Sequence, residues 1–319
     1  MEPHASRLVR PPAPIDLRLT LGLLRRGAYD PTIRFPRDGS VWRATRTPDG
    51  PATERLMPES GAIRVDAWGP GAAWLVEHAP DLVGATDDPR PFEPLHPLLR
   101  ELHRRFAGLR IPRSRAVFEA LVPAICEQKV TGPEAAGAIA GLLRRYGEPA
   151  PGPWDGGRDA RDDPSRAPRP AQLLVPPAAS TLAGVPSYDL HALGMERRRA
   201  ETIRRAAARA DRLEECADLP FDAARARLTA LPGVGAWTAA EVAVRALGDP
   251  DAVSVGDAHL PSTIAWALAR QVRADDARML ELLEPCRGQR ARAIRLIEAA
   301  GIRPPRFGPR MAPRSIVGM

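Results

Sequence analysis

Paired cysteines and long apolar runs are missing from this 319-residue chain. Its three cysteines, Cys126, Cys216 and Cys286, lie far apart and form no Cys-x-x-Cys pair, which argues against a zinc site or an iron–sulfur cluster. We expect them to be reduced and buried, with no cofactor attached. No apolar run approaches the roughly 20 residues of a membrane helix, and the N-terminus lacks an apolar signal core. We therefore expect a cytoplasmic, bacterial protein without a membrane partner.

Lysine is almost absent as well. It occurs once, as Lys129, among 46 basic residues, and the formal net charge is +7. A basic chain favours a polyanionic partner, nucleic acid before membrane. Because arginine-rich composition is also typical of GC-rich genomes, charge alone is modest evidence for DNA.

The hydrophobic pattern divides the chain. Residues 1–92 hold short β-prone pieces such as "SVWRATRT" and "AIRVDAW" separated by turn signals, which predicts a small α+β domain on an antiparallel sheet. Residues 93–303 show helical spacing and predict a mainly α core. Segment 148–172 is rich in Pro, Gly, Asp and Arg, which predicts a flexible insertion, and 304–319 predicts a basic, irregular tail.

The stretch "LPGVGAWTA" (231–239) lies between two predicted helices, "DAARARLTAL" and "AWTAAEVAVRAL". Gly233 and Gly235 permit a tight turn and the close approach of another backbone. The second helix then begins with unpaired amides, which form a phosphate site that needs no side-chain charge. An ordinary αα-hairpin explains this turn equally well when it is taken alone.

A second motif supports the DNA interpretation. "GDPDAVSVGDAHL" (248–260) is a Gly/Pro-rich loop that places Asp257 22 residues after Gly235. Together the two motifs resemble the helix-hairpin-helix DNA glycosylases, and "AICEQKVTGPEAA" (124–136) resembles the turn from which these enzymes push a residue into the DNA stack. The N-terminal sheet and the lack of a cluster resemble the 3-methyladenine DNA glycosylase II, or AlkA-like, branch. The resemblance covers roughly 17–303 outside the insertion.

The resemblance implies roles for individual residues. Asp257 is the implied catalytic carboxylate, although capping of the next helix is an alternative role for it. Trp237 and Glu241 are the implied lesion-pocket residues, and Trp237 could instead be a core residue. Glu241 and Arg295 stand where the branch has aromatic residues, and Glu241 could pair with a cationic lesion. The implied DNA-binding residues are Gly233, Val234, Gly235, Thr238, Gln128 and Lys129.

Lys129 coincides with the wedge position, so it could fill the gap left by a flipped base. It could also anchor a phosphate, act as a weak lyase nucleophile, or be a solvated helix-end lysine. Bifunctional relatives carry a catalytic lysine at the position of Trp237, so the resemblance implies a monofunctional enzyme. It also allows a monovalent cation on the backbone carbonyls of Thr229, Leu231 and Val234.

The sequence thus predicts a monomeric DNA glycosylase that acts on damaged double-stranded DNA in base-excision repair. Bases of the 3-methyladenine type are the expected substrates. Two alternatives remain open. One is a glycosylase for deaminated or oxidised bases. The other is a DNA-binding protein that keeps the scaffold without catalysis.

Overall fold

The computed structural model describes residues 1–27, 30–154 and 172–305. Among these residues, no helix is both long and apolar enough to cross a membrane. The strands are Ala5–Val9 (β1), Ile33–Arg34 (β2), Val41–Thr47 (β3), Gly50–Glu59 (β4), Ala62–Trp68 (β5), Glu148–Pro149 (β6) and Leu174–Val175 (β7).

Helices make up most of the remaining structure. They are Leu17–Leu21 (α1), Ala72–Leu82 (α2), Pro97–Arg105 (α3), Val117–Cys126 (α4), Gly132–Tyr146 (α5), Ala179–Gly184 (α6), Ser187–His191 (α7), Arg197–Ala207 (α8), Ala210–Glu214 (α9), Phe221–Thr229 (α10), Ala236–Val242 (α11), Leu260–Ala269 (α12), Asp276–Leu283 (α13) and Arg290–Ala299 (α14). A π-helical turn, Ala243–Leu247, continues α11. Short 3₁₀ turns cover Gly22–Leu24, Glu215–Asp218 and Glu284–Cys286.

The N-terminal sheet has five antiparallel strands in the order β1-β5-β4-β3-β2. Its core contains Val41 of β3, Leu56 of β4 and Val65 of β5, and Val41 and Leu56 face each other in the register. Ala79 and Leu82 of α2 pack into the same cluster, so the helix covers one face of the sheet. The predicted fold class, an N-terminal antiparallel sheet followed by a mainly helical part, is confirmed.

The helical part contains two clusters of buried apolar side chains. The first draws on α4, α5, α8, α10 and α11, and the second on α3, α12, α13 and α14. Although α3 precedes the first cluster in the chain, it packs against α14. A pocket lies between α11 of the first cluster and α14 of the second.

The predicted flexible insertion over 148–172 begins with a short strand and a packed tryptophan, which the sequence did not predict. Strand β6 pairs with β7, and the Trp154 ring packs edge-on against Trp42 with 5.4 Å between centroids. The polar composition conceals this because a two-residue strand has no detectable period and Trp154 is an isolated aromatic. Residues 155–171 of the insertion, and 306–319 of the predicted tail, lie outside the described residues.

Candidate active site

Two glycines shape the turn between α10 and α11, and they meet different constraints. Gly233 has a φ of 97°, and an added Cβ would lie 2.2 Å from Thr202 Oγ1 on α8. Gly235, the N-cap of α11, has a φ of −100°, and an added Cβ would meet nothing within 4 Å. Gly235 and Ala236 are exposed, and no side chain in the described residues caps α11. The first amides of α11 therefore face solvent without a protein partner.

Two of the predicted DNA-binding residues are buried. Val234 lies in the first helical cluster, and the Thr238 side chain is almost fully enclosed. Their side chains therefore support the turn from inside. The sequence assigns DNA binding to the backbone of this turn, so the prediction for these two residues stays open.

Gln128 joins the segment after α4 to the glycine turn. Its Nε2 donates to the Gly233 carbonyl and to Thr238 Oγ1, both at 2.9 Å. Lys129 follows with a φ of 56°, a left-handed conformation that is uncommon for residues other than glycine. The Lys129 side chain is exposed. The predicted wedge residue and the hairpin therefore belong to one hydrogen-bonded unit.

Three N–H groups hold the carboxylate of Asp257. Oδ1 accepts from the backbone amides of His259 (2.7 Å) and Leu260 (2.8 Å), and Oδ2 accepts from Trp237 Nε1 (3.0 Å). The first two bonds tie Asp257 to the N-terminus of α12. The third brings together Trp237 and Asp257, which lie 20 residues apart in the sequence. The half-buried Trp237 thus orients the carboxylate, a contact that the sequence did not predict.

Asp257 and Glu241 line the same pocket, which has a volume of about 140 Å³ and lies between α11 and α14. Its apolar walls include Val244, Leu260 and Ile294. A larger cavity of about 690 Å³, between the sheet domain and α4, does not include Asp257. We take the smaller one as the candidate active site because it contains the predicted carboxylate.

Glu241 does not present a free charge to this pocket. Its Oε2 accepts from Arg245 at 2.7 Å, and its Oε1 accepts from Ser254 at 2.6 Å. Arg26 lies 3.8 Å from Oε2. Burial alone would raise the pKa of Glu241, but Arg245 and Arg26 hold it below its ordinary value. The pairing of Glu241 with a cationic lesion, which the sequence allowed, is therefore disfavoured because protein groups already engage both oxygens.

Arg295 lines the pocket too, and its Nη1 donates to Glu298 at 2.6 Å. Each acidic side chain in the described lining is thus ion-paired except Asp257. Arg26, Arg245, Ser254 and Glu298 were not predicted, since charged residues in an arginine-rich chain give no positional signal. The i,i+4 spacing of Glu241 and Arg245 could have indicated their pair.

The carbonyls proposed for a cation lie in the same turn. The carbonyl of Leu231 accepts the Val234 amide at 3.0 Å, which leaves one lone pair on that oxygen. No described group of three or more His, Cys, Asp and Glu side chains is arranged to hold a metal ion. The three cysteines are buried and unpaired, and burial raises the pKa of Cys126 to about 12.

Comparison with known proteins shows which proteins this chain is similar to. No protein-family model matches the chain. A curated Mycobacterium tuberculosis protein, the probable bifunctional transcriptional activator/DNA repair enzyme AlkA, is 30% identical over 239 residues, or 70% of this chain and 43% of the relative. The chain therefore spans less than half of that relative's length.

Solved structures share the fold across almost the whole chain. The 3-methyladenine DNA-glycosylase of Archaeoglobus fulgidus matches with a TM-score of 0.70 and 19% identity, covering 91% of this chain and 97% of that one. The Clostridium acetobutylicum 8-oxoguanine glycosylase/lyase, in complex with double-stranded DNA, matches with a TM-score of 0.66 and 13% identity, covering 95% and 100%. In its hairpin, spaced aspartate and N-terminal sheet, the chain is similar to the AlkA-like helix-hairpin-helix DNA glycosylases, and it shares the fold of the solved members.

Proposed function

We propose that this chain is a DNA N-glycosylase of base-excision repair. It would flip a damaged base out of double-stranded DNA and hydrolyse the N-glycosidic bond, leaving an abasic site. The observation that carries this proposal is the Asp257 carboxylate, which lines a pocket, is fixed by three N–H donors and has no cationic partner among the described residues.

The chemistry needs one well-placed negative charge. Breaking the N-glycosidic bond leaves positive charge on the sugar, as in glycoside hydrolysis. Asp257 would stabilise that charge and orient or deprotonate the attacking water. A carboxylate has about four lone-pair positions, and the described protein groups use three of them. Oδ2 keeps a position for water, so capping α12 and assisting hydrolysis are compatible roles.

Two neighbouring elements would bind the DNA. The exposed amides at Gly235 and Ala236 would face a phosphate. Lys129 would enter the gap that the flipped base leaves. Since Gln128 bonds the Lys129 turn to the hairpin, phosphate binding and gap filling would occur at a fixed distance from each other.

We propose hydrolysis without lyase activity, since Trp237 occupies the position at which bifunctional relatives carry the lysine. We also retain the proposal that the carbonyls of Thr229, Leu231 and Val234 hold a monovalent cation. The second lone pair of Leu231 leaves room for that role. The bound ion would stabilise the turn and leave its amides free for phosphate.

Alkylated bases of the 3-methyladenine type are the first substrates to test, given the names of the relatives. One observation favours a second candidate. Arg295 stands where the AlkA-like branch has an aromatic residue, and both oxygens of Glu241 already accept hydrogen bonds from protein groups. A pocket with guanidinium donors suits neutral bases that carry carbonyl acceptors, such as deaminated or oxidised bases.

The test is release of base from a panel of alkylated, deaminated and oxidised duplexes by wild type and Asp257→Asn. We expect the variant to lose about 10²–10³ in single-turnover rate, the usual cost of removing one preorganised electrostatic group, while DNA binding persists. Asp275→Asn is a matched control, since Asp275 caps α13 outside the pocket. Wild-type excision by Asp257→Asn would remove Asp257 from its proposed role.

A further inference from the structure

A single arginine of the N-terminal domain reaches both the wedge turn and the candidate active site. Arg26 follows the 3₁₀ turn Gly22–Leu24, and its side chain is only 6% exposed. Its Nη1 donates to Glu127 Oε2 at 2.7 Å and lies 3.8 Å from Glu241 Oε2. Glu127 immediately precedes Gln128, and Glu241 lines the pocket with Asp257.

The wedge turn, residues 127–129, is therefore held from two sides. Gln128 bonds it to the hairpin, and Glu127 bonds it to Arg26. The last residue of the turn, Lys129, has the strained left-handed φ of 56°. Such conformations persist where the surrounding contacts over-determine them. Two anchored residues, Glu127 and Gln128, thus directly precede Lys129.

On the pocket side, the contacts of Arg26 continue through Glu241 to the loop that carries Asp257. Glu241 binds Arg245 through Oε2 and Ser254 through Oε1. Ser254 lies on the loop that ends at Asp257, three residues later. Two carboxylates and two guanidiniums balance in this cluster. Because the Arg26 side chain is buried, no solvent charge can replace it if it is removed.

We propose that Arg26 is a positioning residue that couples insertion of Lys129 to capture of the base in the pocket. Without its guanidinium, Glu127 and Glu241 would face each other as half-buried, partly uncompensated carboxylates. Glu127 would turn towards solvent and carry the wedge turn with it. This inference rests on the proposed function and adds to it the specific contribution of the sheet domain.

The first test compares excision from a duplex with excision from the same strand unpaired, where no gap must be filled. We expect Arg26→Gln to reduce the rate about tenfold more on duplex than on single-stranded DNA, a coupling within the range for residues of one network. Glu127→Gln should shift the ratio in the same direction. Because Arg26 would act through the wedge, adding Arg26→Gln to Lys129→Ala should lower the ratio no further.

Arg43→Gln is the matched control. Arg43 is a buried arginine of the same domain that also contacts α4, but through Glu119 at the helix start, with Nη2 to Oε1 at 2.9 Å. If loosening of the sheet domain against α4 were the cause, Arg43→Gln would change the ratio as well. We expect it to keep the wild-type ratio. Equal ratios in wild type and Arg26→Gln, or additive losses in the double variant, would overturn the proposal.

A binding assay separates this inference from the proposed function. In an Asp257→Asn background, Arg26→Gln should weaken the preference for a duplex with a tetrahydrofuran abasic-site analogue over an undamaged duplex. The Arg43→Gln variant should keep that preference. A wild type that releases no base would refute the glycosylase proposal, whereas an unchanged preference in the Arg26 variant would refute the coupling alone. Circular dichroism of each variant would check that it is folded.

Discussion

At the scale of single residues, Lys129 is the position where conformation and proposed role meet. Its left-handed φ of 56° costs about 1–2 kcal/mol for a residue with a Cβ. Glycine would relieve that strain, yet the chain places its one lysine there. Strained residues cluster at functional sites, so the conformation supports a role for the side chain itself.

We expect Lys129→Ala to reduce excision from duplex DNA more than excision from single strands, since the missing stem would leave the vacated base position empty. Lys129→Leu should recover part of the duplex rate by restoring apolar bulk. Single-turnover kinetics on both substrates measure the effect. If both variants match wild type on duplex, Lys129 is not a wedge. Borohydride trapping of wild type but not Lys129→Ala would assign it a lyase role instead.

At the scale of secondary-structure elements, the two glycines of the hairpin are needed for different reasons, which the sequence motif alone does not distinguish. Gly233 needs to be glycine because of its positive φ and the contact with Thr202. Gly235 has an ordinary extended φ and open space around it. Folding therefore constrains the first glycine, whereas only an external partner would constrain the second.

We expect Gly235→Asp to fold normally and to bind DNA of every sequence more weakly, because it adds bulk and negative charge beside the proposed phosphate site. Fluorescence anisotropy at several salt concentrations measures the affinity. Gly235→Ala is the control for the loss of glycine alone and should bind more tightly than the aspartate variant. Unchanged affinity in folded Gly235→Asp would show that this hairpin does not meet DNA.

The elements also show where sequence patterns stop being informative. Helical spacing predicted the mainly α character of residues 93–303 and the two helices of the hairpin, α10 and α11. The longest strand, β4, gave no strand signal, since it contains prolines and the charged Glu54. Glu54 is fully buried against Arg43, 2.9 Å away. A charge that is buried by pairing looks like a surface residue in the sequence.

The candidate site shows the same limit. Resemblance to the family located Asp257, Trp237 and Gln128, but not the hydrogen bonds that join them. It also did not show that the side chains of Val234 and Thr238 are buried. Arg26 lies 215 residues from Glu241 in the sequence. Only the folded chain brings these residues together, so no local pattern could predict their contact.

At the scale of the whole molecule, buried polar side chains join the packed parts of the chain. Arg43 links the sheet to α4, and Arg292 of α14 pairs with Asp87 at 2.6 Å. Glu214 of α9 accepts from the amides of Val117 (2.8 Å) and Phe118 (2.9 Å) at the start of α4. The contacts of Arg43 and Glu214 hold α4, which leads into the wedge turn, at its N-terminal end.

Burial raises the pKa of Glu214 to about 7, above its ordinary value. The folded state then binds a proton more tightly than the unfolded state, so this group's contribution to stability falls as pH rises from about 4.5 to about 7. We expect Glu214→Gln to remove this fall, since glutamine stays neutral. Melting temperatures of both proteins from pH 4.5 to pH 8 test the difference.

Glu215→Gln is the control for that measurement. Glu215 neighbours Glu214 but is exposed and ion-paired with Arg212 at 2.6 Å and Arg227 at 2.7 Å. This variant should keep the wild-type pH profile. If wild type and Glu214→Gln lose stability in parallel as pH rises, Glu214 is not the group responsible.

The contrast between Gly233 and Gly235 has an evolutionary consequence. A descendant that kept this scaffold but abandoned DNA would still need Gly233, because the turn could not form beside Thr202 otherwise. Gly235 would then vary freely, since no neighbour among the described residues restricts it. Among relatives, an invariant glycine at the position of Gly233 together with a variable residue at the position of Gly235 would indicate lineages that kept the fold but no longer bind DNA.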